Sequence, residues 1–177
     1  AILGDPSAES GPAGEVWCWG SQRFGELGDG VEDVTYRVEA APVIDGLSDT
    51  PLTGIKDLAV SYATTCAIPA DGTKMMRCWG NHTFGLMGNK EVGGFPKAVP
   101  INNTAGFDAI TSGRQHFCAK FGTVAVCWGS NSHLQLGSGT FPTPGSQNQP
   151  MAVDGLHSID EVFAGHESTC ANDSDGN

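Results

Sequence analysis

Three stretches decide how this chain is read: EVWCWGSQRFGELGDG at residues 15–30, MMRCWGNHTFGLMGNK at 75–90 and AVCWGSNSHLQLGSG at 125–139. With Trp19, Trp79 and Trp128 in register, a cysteine stands before each (Cys18, Cys78, Cys127) and a glycine after each (Gly20, Gly80, Gly129). Eight and nine positions on come Leu27-Gly28, Met87-Gly88 and Leu136-Gly137, and Pro42, Pro100 and Pro150 then open further apolar segments. The remaining cysteines mark a second block. Cys66, Cys118 and Cys170 are spaced by 52 residues, with Ile55, Phe107 and Ile159 eleven places earlier. Leu58, Ile110 and Val162 lie eight places before these cysteines, and Ala67, Ala119 and Ala171 follow at once. Two independent blocks with one common period of about fifty residues establish an internal repeat.

Within each period the apolar runs are short, rich in Val, Ile, Trp and Phe, and bounded by Gly, Pro, Asp and Asn, which is the signature of strands. Runs at 58–62, 75–80, 124–129 and 161–164 are examples, and Asp71-Gly72 supplies a hairpin turn, glycine tolerating the positive φ that such turns require. No helical period is sustained. Short strands at this repeat length predict an all-β chain of propeller blades, each a four-stranded antiparallel sheet, because radial repetition leaves only short, protected edges. Residues 1–14 read as an extension or linker, and residues 15–177 as about three repeats.

Composition narrows the function. Nine Lys and Arg stand against 20 Asp and Glu, a formal net charge of −11. Binding to phosphate backbones needs clustered cations, and no such run is present, so nucleic acid is not an expected partner. No stretch approaches the ~20 apolar residues of a membrane helix. The six cysteines form no CxxC pair, so the spacing is that of disulfides and not of zinc.

The Trp-Gly then Leu-Gly pattern, alternating with a Gly-x-x-x-x-Cys-Ala strand (Gly113 to Ala119, Gly165 to Ala171), resembles the regulator of chromosome condensation repeat. The resemblance runs from Glu15 onward and implies a β-propeller, in that family usually of about seven blades. Departures are visible. The family's Asn three places after Trp is present as Asn131, with Gln22 and His82 in the other copies. The Gly before the Leu-Gly pair is Gly25 and Gly85 but Leu134 in the third copy, and His116 has Thr64 and Ser168 as its counterparts. The cysteine pairs are foreign to nuclear members and resemble secreted or surface versions.

Cys66 is expected to pair with Cys78, and Cys118 with Cys127, since each pair brackets a short hairpin; a loop this short gives roughly 3 kcal/mol per bridge on the chain-entropy argument. Cys18 and Cys170 are left for each other or for cysteines beyond the repeats seen here. Aligning Cys170 with Cys66 sets Asp175-Gly176 on Asp71-Gly72, so a partner for Cys170 is expected about six residues past Gly176 and the repeats are expected to be part of a larger propeller. Packing between blades accounts for Trp19, Trp79 and Trp128, which share one repeat position. Trp17 occurs in a single copy and also reads as packing.

The five histidines show no ligand spacing, acidic pairs such as Glu32-Asp33 and Asp160-Glu161 read as solvated loop charge, and no nucleophile elbow, phosphate loop or dinucleotide fingerprint is present. No cofactor, metal or catalytic residue is therefore expected. Three sequons, at Asn81, Asn102 and Asn172, are candidate glycan acceptors, Asn102 the best placed between a Pro and a Gly. The expectation is a secreted or cell-surface, non-catalytic binding or scaffolding module that contacts a protein or glycan partner through the divergent stretches 29–41, 90–99 and 139–150. It also allows assembly with further copies or with the rest of its own chain. The alternatives are an exchange factor for a small GTPase, disfavoured because disulfides are rare in the nucleus, and an enzyme working over the propeller channel.

Overall fold

The computed structural model describes residues 14–31, 35–72, 75–89, 94–102, 104–139 and 145–173. Strands β1 (Trp17–Ser21) and β2 (Tyr36–Pro42) form an antiparallel pair, followed by a small ribbon of β3 (Ile44–Asp45) and β4 (Thr50–Pro51). The first complete blade is β5 (Ile55–Val60), β6 (Thr64–Pro69), β7 (Arg77–Asn81) and β8 (Gly94–Pro100), and a single 3-10 turn, Thr83–Gly85, lies between its last two strands. The second is β9 (Ala109–Ser112), β10 (His116–Phe121), β11 (Val124–Ser130) and β12 (Ser146–Ala152). A final hairpin joins β13 (Ile159–Ala164) to β14 (Thr169–Asp173). By repeat position β1–β2 are the outer half of a blade and β13–β14 the inner half, so the described residues make an arc of about three blades' worth of sheet. Residues 1–13 of the expected N-terminal extension lie outside the described residues.

A β-bulge lies opposite each Cys-Trp-Gly step, on the outer strand. The register slips between Cys18 and Gly20, between Cys78 and Gly80, and between Cys127 and Gly129, the outer strand setting three residues against the single tryptophan. The glycines take φ of 111°, 97° and 107°, a region closed to most side chains. Close approach demands glycine as well. A Cβ on Gly80 would stand 2.3 Å from the Ala63 carbonyl oxygen, and one on Gly129 2.7 Å from that of Gln115. Those same carbonyls accept hydrogen bonds from the next residues, Asn81 N–H and Ser130 N–H, each at 2.7 Å.

Trp79 and Trp128 lie on the preceding blade. Trp79 lies against Gly28 and Val43, and Trp128 against Gly88, its Nε1–H donating to the Leu86 carbonyl at 2.9 Å. The Leu-Gly and Met-Gly pairs thus repeat because the second residue must leave room for an indole: a Cβ on Gly28 would come within 2.7 Å of the Trp79 ring. Both indoles are fully buried. The core is accordingly a set of layers between blades. One layer joins Val16, Val43, Leu52, Ile55 and Trp79; the next joins Met76, Met87, Ile101, Phe117 and Trp128, with Phe117 stacked on Trp128 at 5.6 Å.

Cys66 faces Cys78, and Cys118 faces Cys127, as direct cross-strand partners with Cα atoms 4.1 Å apart, and both pairs are bridged. Cys18 and Cys170 carry free thiols.

Trp19 departs from the expectation of packing. It is 57% exposed, because the side of β1 that corresponds to the packed face of Trp79 has no blade against it among the described residues. Trp128→Ala is therefore expected to lower the unfolding free energy by about 3–5 kcal/mol, and Trp19→Ala by less than about 1 kcal/mol, as measured by urea denaturation followed by far-ultraviolet circular dichroism.

Candidate interaction surface

The turns between the first and second strands of successive blades are stitched along one rim. Tyr62 N–H donates to the Arg114 carbonyl at 3.0 Å, and Arg114 N–H donates to the His166 carbonyl at 3.1 Å. Ser61 Oγ reinforces the first link at 2.8 Å, and Ser112 Oγ donates to the Val60 carbonyl beside it. Tyr62, Arg114 and His166 fall at a spacing of 52 residues, so the fold presents three repeat-equivalent positions in a row. All three side chains are exposed, Tyr62 to 71%. The Arg114 guanidinium lies over the Tyr62 ring, 5.8 Å from its centroid. Glu167 closes the row, 3.5 Å from His166 and 3.7 Å from His133.

Strand polarity brings the connections after β1, β7 and β11 to this same rim. β6 begins opposite the end of β7, at Thr64 and Gly80, and β8 begins opposite Asn81. Phe24 and Tyr36 share a cleft with Tyr62, Arg23 and Glu26 and extend the exposed row to one side. Part of each divergent stretch singled out in the sequence is regular structure. Residues 36–41, 94–99 and 146–150 belong to the outer strands β2, β8 and β12, each paired along its blade. Residues 32–34, 90–93 and 140–144 of these stretches lie outside the described residues. Replacing all of 139–150 would thus remove most of β12, not a loop alone. The 61–63, 113–115 and 165–168 turns were missed as a candidate surface because their residues differ in kind, and only their common spacing of 52 marks them.

The counterparts of the Asn in the repeat motif behave differently. Asn131 Oδ1 accepts from Leu136 N–H at 3.1 Å and closes the turn, whereas Gln22 reaches Asp29 and the Val31 carbonyl. Leu134 stands where the other copies have glycine and keeps the left-handed conformation, φ 61°. Among the sequons, Asn81 Oδ1 accepts from Thr83 N–H and Oγ–H, Asn102 is exposed on the turn after β8, and Asn172 is exposed on β14. The Thr104 hydroxyl, third residue of the Asn102 sequon, is buried: it accepts from Met76 N–H at 2.9 Å and donates to the Ile101 carbonyl at 2.6 Å, a structural duty of its own. Among the described residues no group of three or more His, Cys, Asp or Glu is arranged to hold a metal ion. Trp17 is half-buried.

His116 is fully buried beneath the rim. Thr169 Oγ–H donates to the Gln135 carbonyl at 2.8 Å, so its oxygen accepts from His116 Nε2–H at 2.9 Å, and Nδ1 is the bare, buried nitrogen. Gly113 makes room for the ring, since a Cβ there would stand 2.2 Å from His116 Cε1. Protonating Nδ1 would bury an unpaired cation, and burial accordingly holds the imidazole below its ordinary value. A base depressed in the folded state binds fewer protons there than when unfolded. The stability it confers is complete above the unfolded value near 6.5 and is lost as pH falls toward the folded value. The unfolding free energy is expected to fall as pH drops below about 6.5, by at most about 1.4 kcal/mol per pH unit, and His116→Gln to flatten that slope in denaturant titrations at each pH. His82 is also lowered by burial and adds to the same slope, so its substitution is measured beside that of His116 to separate the two.

Comparison with known proteins agrees with this geometry. Residues 127–171 match the regulator of chromosome condensation (RCC1) repeat. The chain superposes on Prp20p from Saccharomyces cerevisiae, studied for its binding to Gsp1p and histones, with a TM-score of 0.72 at 21% identity, over 89% of this chain and 39% of that one. Yeast RCC1 (Prp20), solved with Kap60 bound to it, gives 0.71 at 19% over 85% and 36%, and human WBSCR16 gives 0.74 at 17% over 92% and 41%. The chain thus spans about two fifths of the length of these neighbours, at identities that speak for the fold. With a match to the RCC1 repeat at 127–171, and the same Cys-Trp-Gly step and indole seat in the periods before it, the chain shares the fold of the RCC1-like propellers and forms about three blades' worth of a β-propeller.

Proposed function

We propose that this propeller arc is a non-catalytic binding or scaffolding module that engages a protein partner through the rim carrying Tyr62, Arg114 and His166, together with the adjoining connections between third and fourth strands. The observation that carries the reading is the row itself. An aromatic ring, a guanidinium and an imidazole are exposed at equivalent positions on backbone that is hydrogen-bonded from blade to blade. Tyrosine and arginine are the residue types that anchor protein interfaces, and a rigid rim lowers the cost of ordering them. The neighbours Prp20p and yeast RCC1 are themselves described in complex with, or binding to, proteins, which supports a protein over a glycan as the partner class. The two bridged cysteine pairs support an oxidising, secreted or cell-surface setting, with Asn102 as the exposed glycan acceptor, and weigh against the nuclear exchange-factor reading.

The test uses the triple variant Tyr62→Ala, Arg114→Ala, His166→Ala. Because all three side chains are exposed, its stability should stay within about 1 kcal/mol of the parent. Biotinylated parent and variant chains are incubated with surface and secreted protein fractions, cross-linked and analysed by mass spectrometry. The parent is expected to enrich a protein that the variant captures at least tenfold less. Equal capture by both would overturn the rim assignment. Binding of the parent to a glycan array with no protein captured would transfer the rim to a glycan partner. Acceleration of nucleotide release from a small GTPase would restore the exchange-factor reading, and thiols at all four bridged positions in the native protein would remove the case for an oxidising compartment.

A further inference from the structure

The two hydrogen bonds that stitch the rim differ in what lies beneath them. Thr64, His116 and Ser168 share one repeat position under the inner turns, and of the three only His116 titrates near neutral pH. At the step from Tyr62 to Arg114 the residue below is Thr64, a neutral hydroxyl that donates to the Asn81 carbonyl. At the step from Arg114 to His166 it is the His116 imidazole. That ring is wedged between the two turns: the Cβ position of Gly113 is 2.2 Å from His116 Cε1 and 2.2 Å from the Gly165 carbonyl oxygen. Gly113 N–H donates to the His116 carbonyl at 2.9 Å, and Ser130 N–H to the Gln115 carbonyl at 2.7 Å, so the turn carrying Arg114 closes directly over the ring. Nδ1 is buried and makes no hydrogen bond. The charged groups around it are turned elsewhere. Arg114 lies over the Tyr62 ring, and the exposed Glu167 carboxylate faces His166 and His133 at 3.5 and 3.7 Å. Lys120, Asp160, Glu161 and Asp173 belong to the far ends of β10, β13 and β14, and β9, β11 and β12 carry no charged side chain. Thr169 and Gln135, which complete the chain of hydrogen bonds from Nε2, are neutral. A proton on Nδ1 thus sets an N–H without an acceptor and a charge without a counter-ion between the turns, and parting the turns hydrates both.

We propose that His116 is an acid-operated latch on the rim: protonating Nδ1 parts the 113–116 turn from the 165–168 turn, breaks the link from Arg114 to His166 and releases the protein partner, while the link from Tyr62 to Arg114 stays closed. Release of a partner rests on the rim reading given above, whereas the parting of the turns rests on the buried ring alone. The direction follows from linkage. The open form takes up its proton near the ordinary value of about 6.5 and the closed form at a lower one, so each pH unit below about 6.5 shifts the balance toward the open form by at most about tenfold. Burial lowers the value of the closed form, the sign that the latch requires. His133 and His166 act in the opposite sense, since each pairs better with Glu167 once protonated. Both pairs are exposed and so offset the latch only weakly.

The experiment follows amide hydrogen exchange by nuclear magnetic resonance on the folded chain at about pH 7 and about pH 5, each rate divided by that of an unstructured peptide at the same pH. Protection of the Arg114 amide is expected to fall at least about fivefold between the two, and that of the Tyr62 amide less than about twofold, with far-ultraviolet circular dichroism unchanged. His116→Gln, which keeps an N–H donor for Thr169, should abolish the fall; His133→Gln with His166→Gln should leave it in place. In the parent chain the ring proton of His116 should titrate below those of His133 and His166. An equal pH response at Arg114 and Tyr62, or titration of His116 at or above about 6.5, overturns the latch without recourse to any variant. The protein captured by the biotinylated parent near neutral pH is then washed at about pH 5. Its release from the parent, but not from His116→Gln, supports the whole proposal. Retention while the Arg114 amide has lost its protection overturns the regulatory role. Capture of no protein at either pH overturns the rim reading and with it partner release, and the exchange data still decide whether the latch opens.

Discussion

An indole laid across the preceding blade is the contact on which the rest of this structure depends. A single blade is a thin sheet with no interior of its own, so its apolar residues find cover only on a neighbour. Trp79 and Trp128 supply that cover, and everything that recurs around them serves their placement: the bulge in the outer strand opposite, the glycine that follows the tryptophan and passes close under a turn carbonyl, and the second glycine that clears the seat on the other blade. The arrangement is directional. Each blade offers a knob to the blade before it and a socket to the blade after it, and stability accumulates by interfaces instead of in one central core.

The disulfides act on a different axis. They join the second strand to the third within a blade, holding the sheet in register where the indole acts between sheets. Small cores separated by flat blades make such staples effective, since each closes a short loop and restricts the unfolded chain. The last layer is the thinnest: Cys118, Cys127 and Leu136 are buried there, with Val153 and Val162 packed against them. The hairpin β13–β14 leaves Phe163 and Cys170 exposed, and so belongs to the least protected part of the structure.

The rim shows how an interaction surface arises from a scaffold without a dedicated motif. Backbone hydrogen bonds that link one inner turn to the next place one outward side chain per blade at fixed spacing. Evolution of such a surface needs changes only at the outward positions, and here they hold a tyrosine, an arginine and a histidine over the same backbone geometry. His116, one layer below, shows the opposite case. Its neighbours Gly113 and Thr169 are shaped to the ring, and its bare Nδ1 makes that layer sensitive to acid.

The sequence by itself determined the repeat, the strand class, the propeller architecture and which cysteines face one another, because each of these rests on short-range spacing: cysteine against cysteine around a hairpin, Trp-Gly opposite a bulge, Leu-Gly at a seat. It did not separate Trp19 from Trp79 and Trp128, since burial of an indole depends on whether a neighbouring blade stands against it and not on its own surroundings in the chain. It also read stretches such as 146–150 as recognition loops, although they are edge strands. An outer strand such as β12 pairs along one side only, so its sequence diverges as freely as a loop does. The row of Tyr62, Arg114 and His166 was hidden for a related reason. Three unlike residues carry no motif, and their alignment exists only once hydrogen bonds between blades have brought turns 52 residues apart onto one rim.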